Sequence, residues 1–251
     1  AFNINGQFAF SRNKIIEMNE TFKPYDYLKS TGGRLNQFYG LEVIGFFKDQ
    51  TDIDNSPAQM FSTVYPGDLK YKDQNGDKRI DEQDIIPMGY NTQCPEIFYS
   101  VGFDLEYKGF GINAQFQGAG HYTVQRDLSS LYYPLMNNQT ISTHYLVNCW
   151  RPGADNTEAT YPRLTTTESA NNYRNNSVFM KNVSFLKLRS AEAYYKLPEN
   201  FIERFRLQEF RLFVKGMDLF SLDNMKETDP EVMWKTYPAQ RSVHFGFDLT
   251  F

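Results

Sequence analysis

His244-Phe245-Gly246-Phe247-Asp248-Leu249-Thr250-Phe251 decides how the rest of the chain is read. Odd positions carry Phe, Phe, Leu and Phe, whereas even positions carry His, Gly, Asp and Thr. Side chains alternate faces along a strand, so this segment has one apolar, aromatic face and one polar face. A strand that crosses a membrane within a barrel needs this pattern. Its apolar face meets lipid, its polar face lines the lumen, and aromatic residues mark the interface. The reading therefore predicts more such strands upstream.

Composition agrees. The 251 residues include 22 Phe, 17 Tyr and 2 Trp, 16% of the chain. Mean hydropathy is nevertheless −0.57, and no apolar run reaches the ~18 residues that a membrane helix requires. Barrel strands are only half apolar, which reconciles many aromatics with low hydropathy; a soluble all-β protein fits the same numbers. A net charge of −4 gives no electrostatic argument for nucleic acid. The chain opens mid-pattern on Phe2-Asn3-Ile4-Asn5-Gly6-Gln7-Phe8, which predicts a segment of a longer exported protein. Cys94 and Cys149 are too far apart, with three His in the whole chain, to read as a zinc site; they pair as a disulfide or stay as two thiols.

Seven segments alternate in strand fashion, near 2–12, 36–48, 97–107, 111–122, 178–196, 210–219 and 241–251. Lys108-Gly109 makes a hairpin of the third and fourth. In the fifth, the apolar face moves from Leu186 and Leu188 to Ala191, Ala193 and Tyr195, which predicts a β-bulge near Ser190. Connections near 50–94, 123–177 and 220–240 are long, whereas those at 108–109 and 197–206 are short or modest. Compact soluble domains rarely hold structureless loops beyond ~12–15 residues, but outer-membrane barrels combine short periplasmic turns with long extracellular loops. The 13–35 link breaks the alternation, and Lys14-Ile15-Ile16-Glu17-Met18 is read there as a short helical excursion. Bacterial barrels close with even strand numbers, and a membrane does not tolerate open edges. The expectation is an all-β fold: a transmembrane antiparallel β-barrel of which this chain supplies about the last seven strands.

One loop carries metal-binding spacing. Asp73-Gln74-Asn75-Gly76-Asp77-Lys78-Arg79-Ile80-Asp81-Glu82-Gln83-Asp84 places oxygen donors at alternate positions, as calcium loops do. Asp73, Asn75, Asp77, the Arg79 carbonyl and Asp84 are the expected Ca²⁺ ligands. Lys78 stands where such loops have Gly, and the competing reading is an Asp/Asn turn bonded to itself. Nothing in the chain has the spacing of a catalytic acid and base, a nucleophile triad or a phosphate loop. Tyr132, Tyr133, Tyr145 and Trp150, in the long loops, are candidates for stacking on sugars or contacting a protein partner.

Several stretches in order resemble the SusC/RagA family of TonB-dependent outer-membrane transporters. They are Tyr65-Pro66-Gly67-Asp68-Leu69-Lys70-Tyr71 continuing to Asp84; Trp150-Arg151-Pro152; Tyr161-Pro162-Arg163-Leu164; Ser184-Phe185-Leu186-Lys187-Leu188-Arg189; and Gly216-Met217-Asp218-Leu219-Phe220 with Asp229-Pro230-Glu231 and Tyr237-Pro238. The resemblance implies the end of a 22-stranded barrel in the outer membrane of a Gram-negative bacterium. It implies import of oligosaccharides or peptides, a SusD-like surface lipoprotein as cap, a plug domain elsewhere in the protein, and energy from TonB. It also makes Phe247, Leu249 and Phe251 the expected recognition signal for barrel assembly. The competing readings are a structural or adhesive barrel without transport, and a soluble β-rich carbohydrate-binding protein.

Overall fold

The computed structural model describes all residues except 128–131, 136–139, 204–205, 226–227, 232–236 and 238. Pro238, part of the resemblance above, thus lies outside the described residues, as do parts of the expected 123–177 and 220–240 loops. Among the described residues the strands are β1 (Phe2–Phe10), β2 (Gln37–Gly40), β3 (Val43–Phe46), β4 (Ala58–Gln59), β5 (Leu69–Tyr71), β6 (Arg79–Ile80), β7 (Ile86–Asn91), β8 (Ile97–Tyr107), β9 (Phe110–Gln125), β10 (Met180–Lys196), β11 (Glu209–Asp223) and β12 (Ser242–Thr250). The chain divides into two compact units: Ala1–Ser11, Pro95–His121 and Val183–Phe251 form the first, and Arg12–Cys94 with Tyr122–Asn182 the second.

The first unit is built on a six-stranded sheet of order β1-β8-β9-β10-β11-β12. Phe10 pairs with Ile97, Ile97 with Gly120, Phe185 with Asp223 and Met217 with Ser242. These registers put the exits of β1, β9 and β11, which lead into the three long excursions, at one end of the sheet. The β8–β9 and β10–β11 turns are at the other end. Lys108 (φ 48°) and Gly109 (φ 82°) both take the left-handed region that a two-residue hairpin turn needs. The bulge is present: register shifts between Leu188 and Ser190, and Asp218 on β11 takes φ 49°.

Two expectations are corrected. Segment 36–48 is not a strand of this sheet, because β1 pairs directly with β8. It breaks into β2 and β3, which pair with β7 and β5 in the second unit. Phe38, Leu41 and Phe47 are buried there, so its alternation reflects a protein core and not a lipid face. Residues 14–18 are not helical: Ile15 exchanges backbone hydrogen bonds with Gly32 and Gly33. With 12–94 a single excursion, the irregular 13–35 link disappears and the loop lengths alternate without exception.

One face of the sheet is apolar and exposed. Phe8 is 72% exposed and Phe245 79%. Val101, Ile112, Leu212, Val214, Phe247 and Leu249 are exposed as well, while Ile97, Phe103 and Phe116 are half-buried. The other face carries ion pairs: Arg211 with Asp248 (2.9 Å) and Glu192, Lys196 with Glu106 (3.1 Å), Arg189 with Asp218 (2.9 Å) and Glu231, and Lys187 with Asp229 (2.7 Å). No helix among the described residues is long and apolar enough to cross a membrane.

The second unit has its own core around Leu41, Leu69, Tyr71, Ile80, Tyr161 and Phe179. Two antiparallel pairs, β2·β7 and β3·β5, and the parallel pair β4·β6 frame it. The excursions at 12–94 and 122–182 are therefore folded structure with a hydrophobic centre, which explains how segments this long hold together.

Two glycines of β9 lie beneath tyrosines of neighbouring strands. A Cβ on Gly111 would collide with the Tyr194 ring, and one on Gly118 with Tyr99. Tyr194 then donates to Glu106 (2.7 Å) and Tyr99 to the Phe185 carbonyl (2.9 Å). Gly111→Val should cost about 1–3 kcal/mol by overpacking, measured by urea unfolding in micelles. Gly6→Val, where the nearest atom is 3.8 Å away, should be close to neutral. Equal costs would contradict the packing account.

Candidate functional site

The Pro66-Gly67-Asp68 turn is the point on which the second unit converges. Gly67 takes φ 89°, and a Cβ there would overlap the indole of Trp150. Its N–H donates to the Phe47 carbonyl (2.7 Å), and its carbonyl accepts from the Arg163 N–H (2.9 Å). Asp68 is fully buried. One carboxylate oxygen accepts from Arg163 Nε (2.7 Å) and Asn172 Nδ2 (2.9 Å), and the other from the Tyr65 N–H (2.8 Å). A buried carboxylate is tolerated only when paired and hydrogen-bonded, and here the partners come from its own turn and from the distant 163–172 stretch.

Amide side chains extend this node along β5. Asn172 Oδ1 accepts from the Leu69 N–H (3.0 Å), and Asn171 Nδ2 donates to the Leu69 carbonyl (3.0 Å). Gln59 accepts from the Tyr71 N–H (2.7 Å) and donates to Asn171 Oδ1 (2.7 Å). Asn176 Nδ2 donates to the Tyr71 hydroxyl (3.2 Å), and burial pushes that phenol well above its ordinary value. Buried backbone groups that β3 does not pair thus find side-chain partners, as buried polar groups must. The sequence reading missed Asn171, Asn172 and Asn176; the signal for them was a cluster of Asn within one long excursion.

Of the four aromatic ligand candidates, three are core residues. Tyr132 and Tyr145 are almost wholly buried. Tyr145 stacks on Tyr161 (4.8 Å, 17°) and donates to the Pro162 carbonyl (3.2 Å). Tyr133 packs on Tyr173 and Phe179. Trp150 lines an open cleft of about 910 Å³. The acidic loop is bonded to itself. Asp73 accepts from the Gly76 (2.6 Å) and Lys78 (2.8 Å) N–H groups, Asn75 from Asp77 (3.0 Å) and Asp77 from Arg79 (2.8 Å). Asp84, fully buried, accepts from Gln74 (2.8 Å) and Asp81 (2.9 Å). Burial pushes its carboxyl above the ordinary value, against those hydrogen bonds and helped by the charges of Asp73 and Asp81. A raised carboxyl stabilises the fold at acid pH, a contribution lost as pH rises through the raised value. Among the described residues no group of three or more His, Cys, Asp and Glu side chains is placed to hold a metal. Lys78 takes φ 64°, the conformation in which Gly is strain-free.

The expected assembly residues lie on the apolar side of β12. Phe247 pairs with Leu212 and meets Phe210 edge-on (6.2 Å), Leu249 pairs with Phe210, and Phe251 is 79% exposed.

Removing one partner of a buried ion pair typically costs ~3–5 kcal/mol. Arg163→Ala should approach that figure in the unfolding of the second unit, whereas Arg174→Ala, whose ion pair with Glu82 is exposed, should cost ~1 kcal/mol or less through that pair. Lys78→Gly should stabilise by about 1 kcal/mol. Limited proteolysis of the purified protein across a urea series reads all three.

No family model matches the chain. Two proteins of Formosa agariphila are similar over most of its length: TonB-dependent receptor P3, 28% identical over 218 residues, and TonB-dependent receptor P26, 23% identical over 232. The matches cover 86% and 85% of this chain but only 21% and 22% of those receptors. The RagAB peptide transporter superposes over 100% of this chain and 27% of its own, with a TM-score of 0.73 and 18% identity. The RagAB peptide importer in its closed-closed state gives 0.71 at 17% identity. The chain thus spans about a quarter or less of the proteins that it matches. The exposed apolar sheet face, the excursions leaving one end, and these similarities lead to one conclusion: the chain is homologous to TonB-dependent receptors.

Proposed function

We propose that this chain forms part of the wall of a Gram-negative outer-membrane transporter that imports oligosaccharides or peptides, energised by TonB. A SusD-like surface lipoprotein caps it, and the plug and the rest of the barrel come from the remainder of the protein. The observation that carries the reading is the two-faced sheet: aromatic and aliphatic side chains exposed on one side, Arg211, Glu192, Asp248 and Glu106 in ion pairs on the other. Lipid on the first face and water on the second satisfy both. A soluble protein would leave Phe8, Phe245 and Phe247 in water, so the soluble carbohydrate-binding reading is disfavoured. For the 73–84 loop, the internal hydrogen bonds favour a self-bonded turn over a Ca²⁺ site. Protease protection of this loop that depended on millimolar Ca²⁺ would restore the cation.

Charges on a lipid face at mid-depth cost ~2–4 kcal/mol. Phe103→Arg should therefore lower the amount of assembled protein in the outer membrane several-fold. Ser100→Arg, on the face with Gln7 and Gln117, should be tolerated. Uptake of the native substrate should vanish on deletion of TonB. Equal tolerance of the two Arg variants, or uptake that persists without TonB, would overturn the reading.

A further inference from the structure

Lys187 is only 3% exposed, although it belongs to the polar face of β10, the face that the transport reading gives to water. Its ammonium is held by Asp229 (2.7 Å) and Glu231 (2.8 Å), both from the excursion between β11 and β12. Beside it, Arg189 pairs with Glu231 and with Asp218 of β11 (2.9 Å) and donates to Gln117 of β9 (2.9 Å). Asp229 is fixed from its own side by the N–H groups of Glu231 (2.9 Å) and Ala239 (3.2 Å). Both limbs of the excursion thus meet at one carboxylate. The β10–β11 ladder ends at Phe185 and Asp223, and Lys187 pairs with Ser221 inside it. The Asp229-Pro230-Glu231 stretch therefore folds back along the sheet to reach Lys187 and Arg189.

An ammonium on a water-filled wall needs no partner. Stripping water from an ion pair costs about as much as the pair returns, or more, so this cluster is a weak source of stability. What it supplies is position. Asp218, Asp229 and Glu231 share two cations, and withdrawing either cation leaves carboxylates facing one another. Such a contact forms and parts without unpacking an apolar core. We propose that Asp229-Pro230-Glu231 is a latch: it holds the excursion over the lumen face of β10 at rest, and parts from Lys187 and Arg189 when cargo passes. The inference rests on the transport reading.

The full-length protein, purified in micelles, is first labelled with sulfosuccinimidyl acetate and mapped by mass spectrometry. Lys187 should react several-fold more slowly than Lys215, which is half-buried on the same sheet. Asp229→Asn with Glu231→Gln, which leaves the sheet unchanged, should bring the two rates together. Equal rates in the unsubstituted protein would overturn the latch. In cells, Lys187→Cys with Glu231→Cys is bridged by a short, reducible bis-methanethiosulfonate reagent, on a Cys94→Ser background because Cys94 is an exposed thiol. Depletion of a defined pool of peptides and oligosaccharides from the medium is followed by mass spectrometry. The unbridged variant, assembled at the normal level, should deplete the pool; bridging should abolish depletion, and reduction should restore it. Depletion that the bridge leaves unaffected, or that is absent before bridging at normal assembly, would overturn the proposal. An unsubstituted protein that depletes nothing, or does so without TonB, removes the transport reading and the gating with it, and leaves the Lys187 contact as measured by labelling.

Discussion

The second unit depends on the burial of one carboxylate. Asp68 has no exposed surface, yet it is ionisable, and removing such a group from water costs several kcal/mol unless its oxygens are fully engaged. The engagement requires the Arg163 guanidinium, the Asn172 amide and the Tyr65 N–H at once. Arg163 and Asn172 belong to the excursion after β9, while Asp68 and Tyr65 belong to the excursion after β1. Only the arrangement that brings the two excursions together satisfies the charge. An apolar contact would tolerate sliding, but this node does not, and it sets the register of everything built on it. Gly67, held by the same turn, then seats Trp150, and Trp150 lines the open cleft. The surface chemistry of the unit thus follows from its buried electrostatics.

The first unit solves a different problem. Among the described residues the apolar face of its sheet stays exposed, and in the transport reading that face meets lipid. The opposite face meets the need for polarity with cross-strand pairs, of which Arg211 between Glu192 and Asp248 is the centre. Strands with one apolar side have a register that cannot slip by one residue without reversing both faces. The bulge at Leu188–Ser190 with Asp218 is where the sheet absorbs a change of face without losing either environment.

Much of this was legible in the sequence where period and turn chemistry act locally. The alternation in Ile97–Tyr107 and Ser242–Thr250, the Lys108-Gly109 turn and the bulge are all consequences of neighbouring residues. The segment at 36–48 misled because alternation records only that one face is apolar. A lipid face and a protein core write the same pattern, and the choice was made by Leu41 and Phe47 packing in the second unit. Tyr132 and Tyr145 misled for a related reason: aromatics within a long connection read as surface groups, while the core that buries them is assembled from residues as distant as Leu41 and Phe179. The motif around Asp68 was visible as a resemblance, but its reason was not. No local rule pairs Asp68 with Arg163 and Asn172, because that pairing exists only once both excursions have folded.

Native-state hydrogen exchange on the assembled protein tests the central claim most directly. If the Asp68 node holds the two excursions together, the amides of Leu69 and Tyr71 should open with the same free energy as those of Asn172 and Phe179. Arg163→Ala should lower all four by the same amount. Opening at separate free energies, or a loss of protection confined to residues near 163, would show that the excursions fold independently and that the node does not couple them.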